Sequence, residues 1–265
     1  MRYHGRIYVI TYALMRPRDW NAKSYDAVST PQQEWGAKVV ARLDLEGDER
    51  VLDAGCGTGR VTEMLVDRLP NGRVLGVDGS PSMVAAARER LDPDRVELVC
   101  ADLLDLAVAE PLDAAISTAT FHWIADHDEL FRRIRRALRP GAAFVAQCGG
   151  AGNIDRVRRL ARAITAEPDY APDFTGWPGP WHYADPEETR GRLERAGFDV
   201  ERCWLEPAPV TPPRPREFLE TVICAPYLER MPRRLRGEFL DRLLDGLGTP
   251  PVLDYVRLNW DARAR

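Results

Sequence analysis

The residues with the most evident chemical capacity are Val51-Leu52-Asp53-Ala54-Gly55-Cys56-Gly57-Thr58-Gly59, where an apolar run ends in a carboxylate and enters a glycine-rich turn. Glycines let backbone approach a ligand closely, and a helix starting after such a turn offers free N–H groups to an acceptor. Two more carboxylates follow the next apolar runs, Asp78 after Val74–Val77 and Asp102 after Val96–Ala101. Asp53 can meet a cationic or N–H-bearing ligand and would repel a pyrophosphate. Asp78 is placed to hold the two hydroxyls of a ribose. Asp102 can accept from an adenine amino group, with Leu103 packed beside the ring. The third glycine of the dinucleotide signature G-x-G-x-x-G is missing, which argues against a nicotinamide-dependent oxidoreductase.

These groups must be held by strands and helices in alternation. Arg50–Asp53, Arg73–Asp78, Val96–Cys100, Asp113–Ser117 and Ala143–Gln147 read as strands, separated by helical-period segments, the pattern of βαβ units and a parallel sheet. Val61–Leu69 gathers Val61, Met64, Leu65 and Leu69 on one face. Ser82–Leu91 is opened by Ser80 as N-cap and Pro81 at the first helical position. Asp128–Leu138 turns Leu130, Phe131, Ile134 and Leu138 inward, and Arg139-Pro140-Gly141 is expected to stop it before the next strand. Its Arg132, Arg133, Arg135 and Arg136 read as a solvated outer face.

Beyond Gly149 a helix over Ile154–Ala166 precedes a tract rich in tryptophan, proline and glycine, Phe174 to Tyr183, of the kind that forms lids or pocket walls. Pro186–Ala196 is a helix capped by Asp185 and ended by Gly197, and Phe198–Leu205 a strand. Pro207–Pro215 leads into helices Glu217–Arg230 and Pro232–Leu247, then a last strand-like run Val252–Trp260.

The chain of 265 residues carries a net charge of −4, with 45% hydrophobic and 29% charged residues, a globular balance that as a whole does not attract nucleic acid or an anionic membrane. Arg156, Arg158, Arg159 and Arg162 keep a nucleic-acid substrate open as a minor reading. No run approaches the roughly 20 apolar residues of a membrane span. Five scattered cysteines without C-x-x-C spacing disfavour a disulfide framework and a zinc site, and no metal is expected. A cytoplasmic setting fits. The short apolar run Ile7–Leu14 lacks a cleavage signal and reads as read-through or tag-like sequence rather than a signal peptide.

The glycine turn with its three carboxylates resembles the class I S-adenosylmethionine (SAM)-dependent methyltransferases over roughly residues 45 to 150. SAM carries an ammonium and a sulfonium but no phosphate, which suits Asp53. Asp19-Trp20-Asn21-Ala22-Lys23-Ser24-Tyr25 and Phe121-His122-Trp123 through Phe131 are similar to segments of the trans-aconitate 2-methyltransferase group, which has glutamine where His122 stands. The resemblance implies an α/β fold: a Rossmann-like, seven-stranded, mainly parallel sheet with helices on both faces and a small helical cap.

It further implies Met15 as the start, since the D-W-N segment lies a few residues from the initiator methionine in that group. The resemblance also implies a leader over 1–18, an N-terminal helical lid over 19–48, and a SAM-binding core over 49–206 with an aromatic loop at 167–184. A cap over 207–250 and a final core strand within 251–265 complete the expected layout. Asp53, Gly55 and Gly57 would surround the methionine part, Asp78 the ribose, Ser80 and Met83 the adenosine, and Asp102 and Leu103 the adenine. Trp20, Tyr25, Cys56, Gly79, Ala101 and Thr118 complete the expected cofactor site. Gln33, Trp35, His122, Trp123, Trp177, Trp181 and Tyr227 are expected on the substrate side.

Methyl transfer is an in-line displacement in which the protein chiefly aligns the reactants and excludes water. A carboxylate acceptor needs no base; a phenol or ammonium would, and His122 is the candidate inside a motif. A hydrogen-bonding role for His122 is equally compatible, while His127 and His182 read as surface or lid residues. The expected activity is methyl transfer to a small molecule, foremost O-methylation of a carboxylate or hydroxyl. N- or C-methylation and a non-catalytic SAM-binding protein remain open, as does the oligomeric state.

Overall fold

In the computed structural model, residues 18–22, 26 and 30–265 are described. Tyr25 and the leader up to residue 17 lie outside them. Seven strands form one sheet: β1 (Arg50–Ala54), β2 (Arg73–Asp78), β3 (Val96–Cys100), β4 (Leu112–Thr118), β5 (Leu138–Gly149), β6 (Phe198–Pro207) and β7 (Val256–Ala264). Their order is β3-β2-β1-β4-β5-β7-β6. The first five are parallel, and β7 runs antiparallel to both β5 and β6. Strand order reverses between β1 and β4, the place where open α/β sheets leave a crevice at their carboxyl ends.

Period-two alternation explains why the parallel strands are apolar throughout. Leu52, Leu75, Ala115 and Phe144 enter one buried cluster, while their neighbours Val51, Val74, Ala114 and Val145 enter another on the opposite face. The first face is covered by α4 (His127–Ala137) and α7 (Pro186–Ala196) through Leu130, Phe131, Ile134 and Leu193. The second is covered by α1 (Thr30–Val40), α2 (Arg60–Asp67) and α3 (Pro81–Arg90).

Local chemistry sets the helix ends. Ser80 accepts from the Met83 N–H at 3.3 Å, Asp126 from the Glu129 N–H at 2.9 Å and Asp185 from the Glu188 N–H at 2.8 Å. Gly197 closes α7 in the left-handed region, φ 100°.

A third buried cluster stands apart from the sheet. It joins Trp35 to α5 (Asp155–Thr165), the short helix α6 (Ala171–Phe174), and α8 (Pro215–Phe218), α9 (Ala225–Arg230) and α10 (Arg233–Leu247).

Four expectations need correction. The helix expected over Glu217–Arg230 is broken into α8, a π turn over Leu219–Ile223 and α9, because Pro226 starts a new helix and the Cys224 N–H reaches back to the Leu219 carbonyl at 2.6 Å. The last strand is Val256–Ala264 rather than Val252–Trp260. Arg139-Pro140-Gly141 does not precede β5 but lies within it: pairing with β4 jumps from Leu112↔Leu138 to Ala114↔Ala143, and the intervening residues bulge. His127 is buried, 2% exposed, where a surface or lid residue was expected, since its ring faces Phe131 and His182 and its Nε2 reaches the Phe121 carbonyl at 2.9 Å. Among the described residues no helix is long and apolar enough to cross a membrane.

Candidate active site

The carboxyl ends of β1, β2 and β4 converge around the glycine turn. Gly55 and Cys56 both donate to the Val77 carbonyl, at 2.7 and 3.1 Å, tying the turn to β2. Gly55 has φ 87°, and a Cβ there would sit 2.1 Å from Thr120 Oγ1, so neither its conformation nor its space admits a side chain. Gly57 differs: φ is 54°, and a Cβ would meet no atom within 4 Å. Its N–H donates to Asp78 Oδ2 at 2.9 Å.

Asp53 is wholly buried. Oδ2 accepts from the Thr62 hydroxyl at 2.7 Å, while Oδ1 has no hydrogen-bond partner among the described residues. Burial, with the charge of Asp78 adding to it, pushes its carboxyl up to about 7 against the pull of Thr62. An orphaned carboxylate oxygen in a dry site is costly, and an incoming cation or N–H donor relieves that cost.

Asp78 accepts from the N–H groups of Gly57 and Ser80, each at 2.9 Å, and burial still raises it above the ordinary carboxylate value. Gly79 beside it is half-buried. The Ser80 hydroxyl is occupied: it donates to Asp19 at 2.5 Å and accepts from the Trp20 N–H at 3.0 Å besides capping α3. Asp19 also accepts from the N–H and hydroxyl of Ser82, which fastens segment 18–20 over the start of α3.

Ala101 donates to the Asp78 carbonyl at 3.0 Å, and Asp102 Oδ1 accepts from the Leu104 N–H at 2.9 Å. Met83, Leu103 and Cys56 are buried, at 4%, 4% and 6% exposure. Burial raises the Cys56 thiol well above its usual value. Thr118 closes β4, half-buried, and is followed by Ala119 at φ 55°. A non-glycine residue in that region is strained, and the Ala119 N–H bonded to the Gln147 carbonyl at 2.8 Å holds it.

That kink launches the turn Phe121–Trp123. His122 is buried, and the Gly149 N–H donates to its Nδ1 at 3.3 Å. Nδ1 therefore offers a lone pair, and the ring proton belongs on Nε2. Burial, then Arg257 and His127, hold the imidazole well below its usual basicity. With Nδ1 so engaged, Nε2 is the ring nitrogen left to meet a ligand.

The Trp123 ring lies 4.8 Å from that of Trp20 and 6.0 Å from that of Trp181. Trp181 stacks on Tyr183 at 5.7 Å, and Tyr183 flanks His122 at 5.8 Å. Burial lifts the Tyr183 phenol well above its usual value, opposed by its bond to Asn153. Beyond Trp181 opens a cleft of about 420 Å³ that Trp177, Trp181 and Tyr227 line together with Phe174, Arg158 and Arg162.

Gln33 and Trp35 are not in that wall. Gln33 is exposed and accepts from Arg60 at 3.3 Å, while Trp35 is buried against Tyr255 and under the Arg257 guanidinium. The sequence reading, which also set Tyr183 with Trp177 and Trp181 on the substrate side, missed Thr62, Thr120 and Arg257, and set Arg158 and Arg162 toward nucleic acid. The i, i+4 spacing of the two arginines, beside the apolar stripe Val157, Ala161 and Ile164, was the available signal.

A family model described as a methyltransferase domain matches residues 51–141. The chain is similar to trans-aconitate 2-methyltransferase of Methylobacterium nodulans, 36% identical over 253 residues, which cover 89% of this chain and 92% of that protein. It is also 36% identical over 157 residues to the enzyme of the same name from Variovorax paradoxus, covering 58% of each chain. Among solved structures, phosphoethanolamine N-methyltransferase 2 of Haemonchus contortus, in complex with phosphomonomethylethanolamine and S-adenosylhomocysteine, shares the fold. Its TM-score is 0.60 at 21% identity, covering 92% of this chain and 56% of that one.

Proposed function

The chain belongs to the class I SAM-dependent methyltransferases, and from that membership we propose that it esterifies a carboxylate of a small-molecule acceptor. The residues at the crevice fit the cofactor. The orphaned Oδ1 of Asp53 suits an ammonium, Asp78 a ribose diol, and the bare face of Gly57 close passage of the ligand. When bound, SAM supplies an electrophilic methyl group on a sulfonium. The chain's part is to hold both reactants, exclude water and orient the acceptor. Trp20, Trp123 and Trp181 supply the apolar wall for that, and His122 a hydrogen bond from Nε2.

The observation that carries the acceptor class is the Gly149 N–H bond to His122 Nδ1. It engages the Nδ1 lone pair of the histidine in the Phe121–Trp123 turn, and burial lifts the Tyr183 phenol well above its usual value. An acceptor must then arrive already deprotonated. A carboxylic acid with a pKa near 4 is about 99.9% ionised at pH 7, whereas a phenol or ammonium is not. Relatives named for trans-aconitate, a carboxylate, agree with this reading.

The test is mass spectrometry after incubation with deuteromethyl-labelled SAM and a panel of carboxylic acids, phenols and amines. The expected product is a base-labile methyl ester. Label found on phenols or amines and on none of the acids would refute the assignment.

A further inference from the structure

The cleft beyond Trp181 has a composition that goes beyond the need to hold any one carboxylate. Helix α5 sets Arg158 and Arg162 one turn apart on the same face. Its other arginines are engaged elsewhere, Arg156 on the Gly246 carbonyl at 3.0 Å and Arg159 on Asp155 at 3.1 Å. Arg158 lies with its guanidinium 5.2 Å above the Tyr183 ring and only 3.9 Å from Asp155, the limit of an ion pair. Arg162 makes no ion pair among the described residues.

Among the described residues no acidic side chain lines the cleft, so none of them neutralises the two cations within it. Four aromatic side chains, Phe174, Trp177, Trp181 and Tyr227, line it with the two arginines. Trp177 meets Tyr227 edge-on at 4.8 Å, Phe174 stacks on Tyr227 at 5.9 Å, and Trp181 closes the end toward Trp123. Gly179, at φ 96° with nothing within 4 Å of a Cβ, keeps the loop side open. Its volume of about 420 Å³ lies in the range of sites that enclose ring-bearing ligands.

We propose that this cleft receives the body of the acceptor, and that the acceptor is an aromatic acid with a second anionic group: its ring lies against Trp177, Trp181 and Tyr227, and Arg158 and Arg162 bind the anion remote from the methylated carboxylate. The inference rests on the carboxylate reading above. Ring faces reward a planar π system beyond the area it buries, and two guanidiniums a turn apart recognise an oxyanion by charge-assisted hydrogen bonds. A compact aliphatic acid would use the cations and leave the aromatic walls poorly filled.

The test measures binding apart from turnover. With S-adenosylhomocysteine present, quenching of tryptophan fluorescence and calorimetry are recorded for 4-carboxyphenylacetate, phenylacetate and adipate. The aromatic diacid is expected to bind at least about tenfold tighter than either of the others. Arg158→Gln and Arg162→Gln are each expected to weaken it about 10–100-fold while leaving phenylacetate unchanged, and Arg159→Gln to leave both unchanged. Circular dichroism and S-adenosylhomocysteine affinity verify that the variants are folded. Equal binding of adipate, wild-type affinity in both arginine variants, or no saturable binding of the aromatic diacid overturns the proposal. Aromatic diacid binding that depends on both arginines, without ester formation from any acid, would instead uphold the cleft and refute carboxylate methylation.

Discussion

In the proposed site, Asp53 is the side chain that would meet the ammonium of SAM. Its carboxyl is held at about 7 by burial, against an ordinary value of 3.8, so the unliganded native state keeps a proton that the unfolded chain releases near pH 4. The stability this group contributes is full below about pH 4 and is lost as pH rises through 7. A bound ammonium reverses the preference, because it favours the ionised form. SAM affinity should therefore rise with pH up to about 7 and level off above, with proton release on binding seen by calorimetry in buffers of different ionisation heat near pH 6. Asp53→Asn should abolish the linkage; proton release unchanged in that variant would place the ammonium elsewhere. His122 is the opposite case, a buried ring whose Nδ1 accepts the Gly149 N–H, and its proposed role is that of a donor. His122→Gln keeps a donor, so kcat should fall by less than about tenfold with an unaltered pH profile, whereas loss of a general base costs about a hundredfold or more.

At the scale of elements, the glycine turn does two different jobs within three residues. Gly55 is confined by Thr120, so Gly55→Ala combines a left-handed alanine with a steric clash and should destabilise the protein by more than about 2 kcal/mol in denaturant titration. Gly57 is confined by nothing. Gly57→Ala should lower Tm by only about 2–8 °C, the cost of the left-handed backbone alone, yet project a methyl into the crevice and weaken SAM binding. A Gly57→Ala protein that binds SAM normally would show that the ligand does not pass that face. The turn over Phe121–Trp123 is built by similar means: strained Ala119 is held by Gln147, and the His182 N–H donates to the His122 carbonyl at 2.8 Å, docking the aromatic loop onto it.

At the scale of the molecule, the crevice belongs to the sheet clusters, whereas much of the cleft wall belongs to the separate cluster around α5 and α10. Phe239 is fully buried in the latter, stacked at 5.7 Å behind Tyr227. Phe239→Ala should cost about 3–5 kcal/mol by chemical denaturation and raise the KM for the acceptor, while SAM affinity stays unchanged. Equal losses for both ligands would mean that the clusters act as one unit. The amino-acid sequence by itself determined the alternating elements, the serine, aspartate and glycine caps, the glycine turn and the strand-end positions of Asp53 and Asp78. Those features rest on spacings of two to four residues and on turn chemistry, which are local. Only the tertiary structure decided that the Gly149 N–H engages His122 Nδ1, that His127 is buried, that Trp35 packs against Tyr255 and Arg257, and that Arg158 and Arg162 line the cleft while Arg156 and Arg159 do not. Each of these depends on which distant segment packs against which helix, and a one-dimensional pattern carries no record of contacts made across tens of residues.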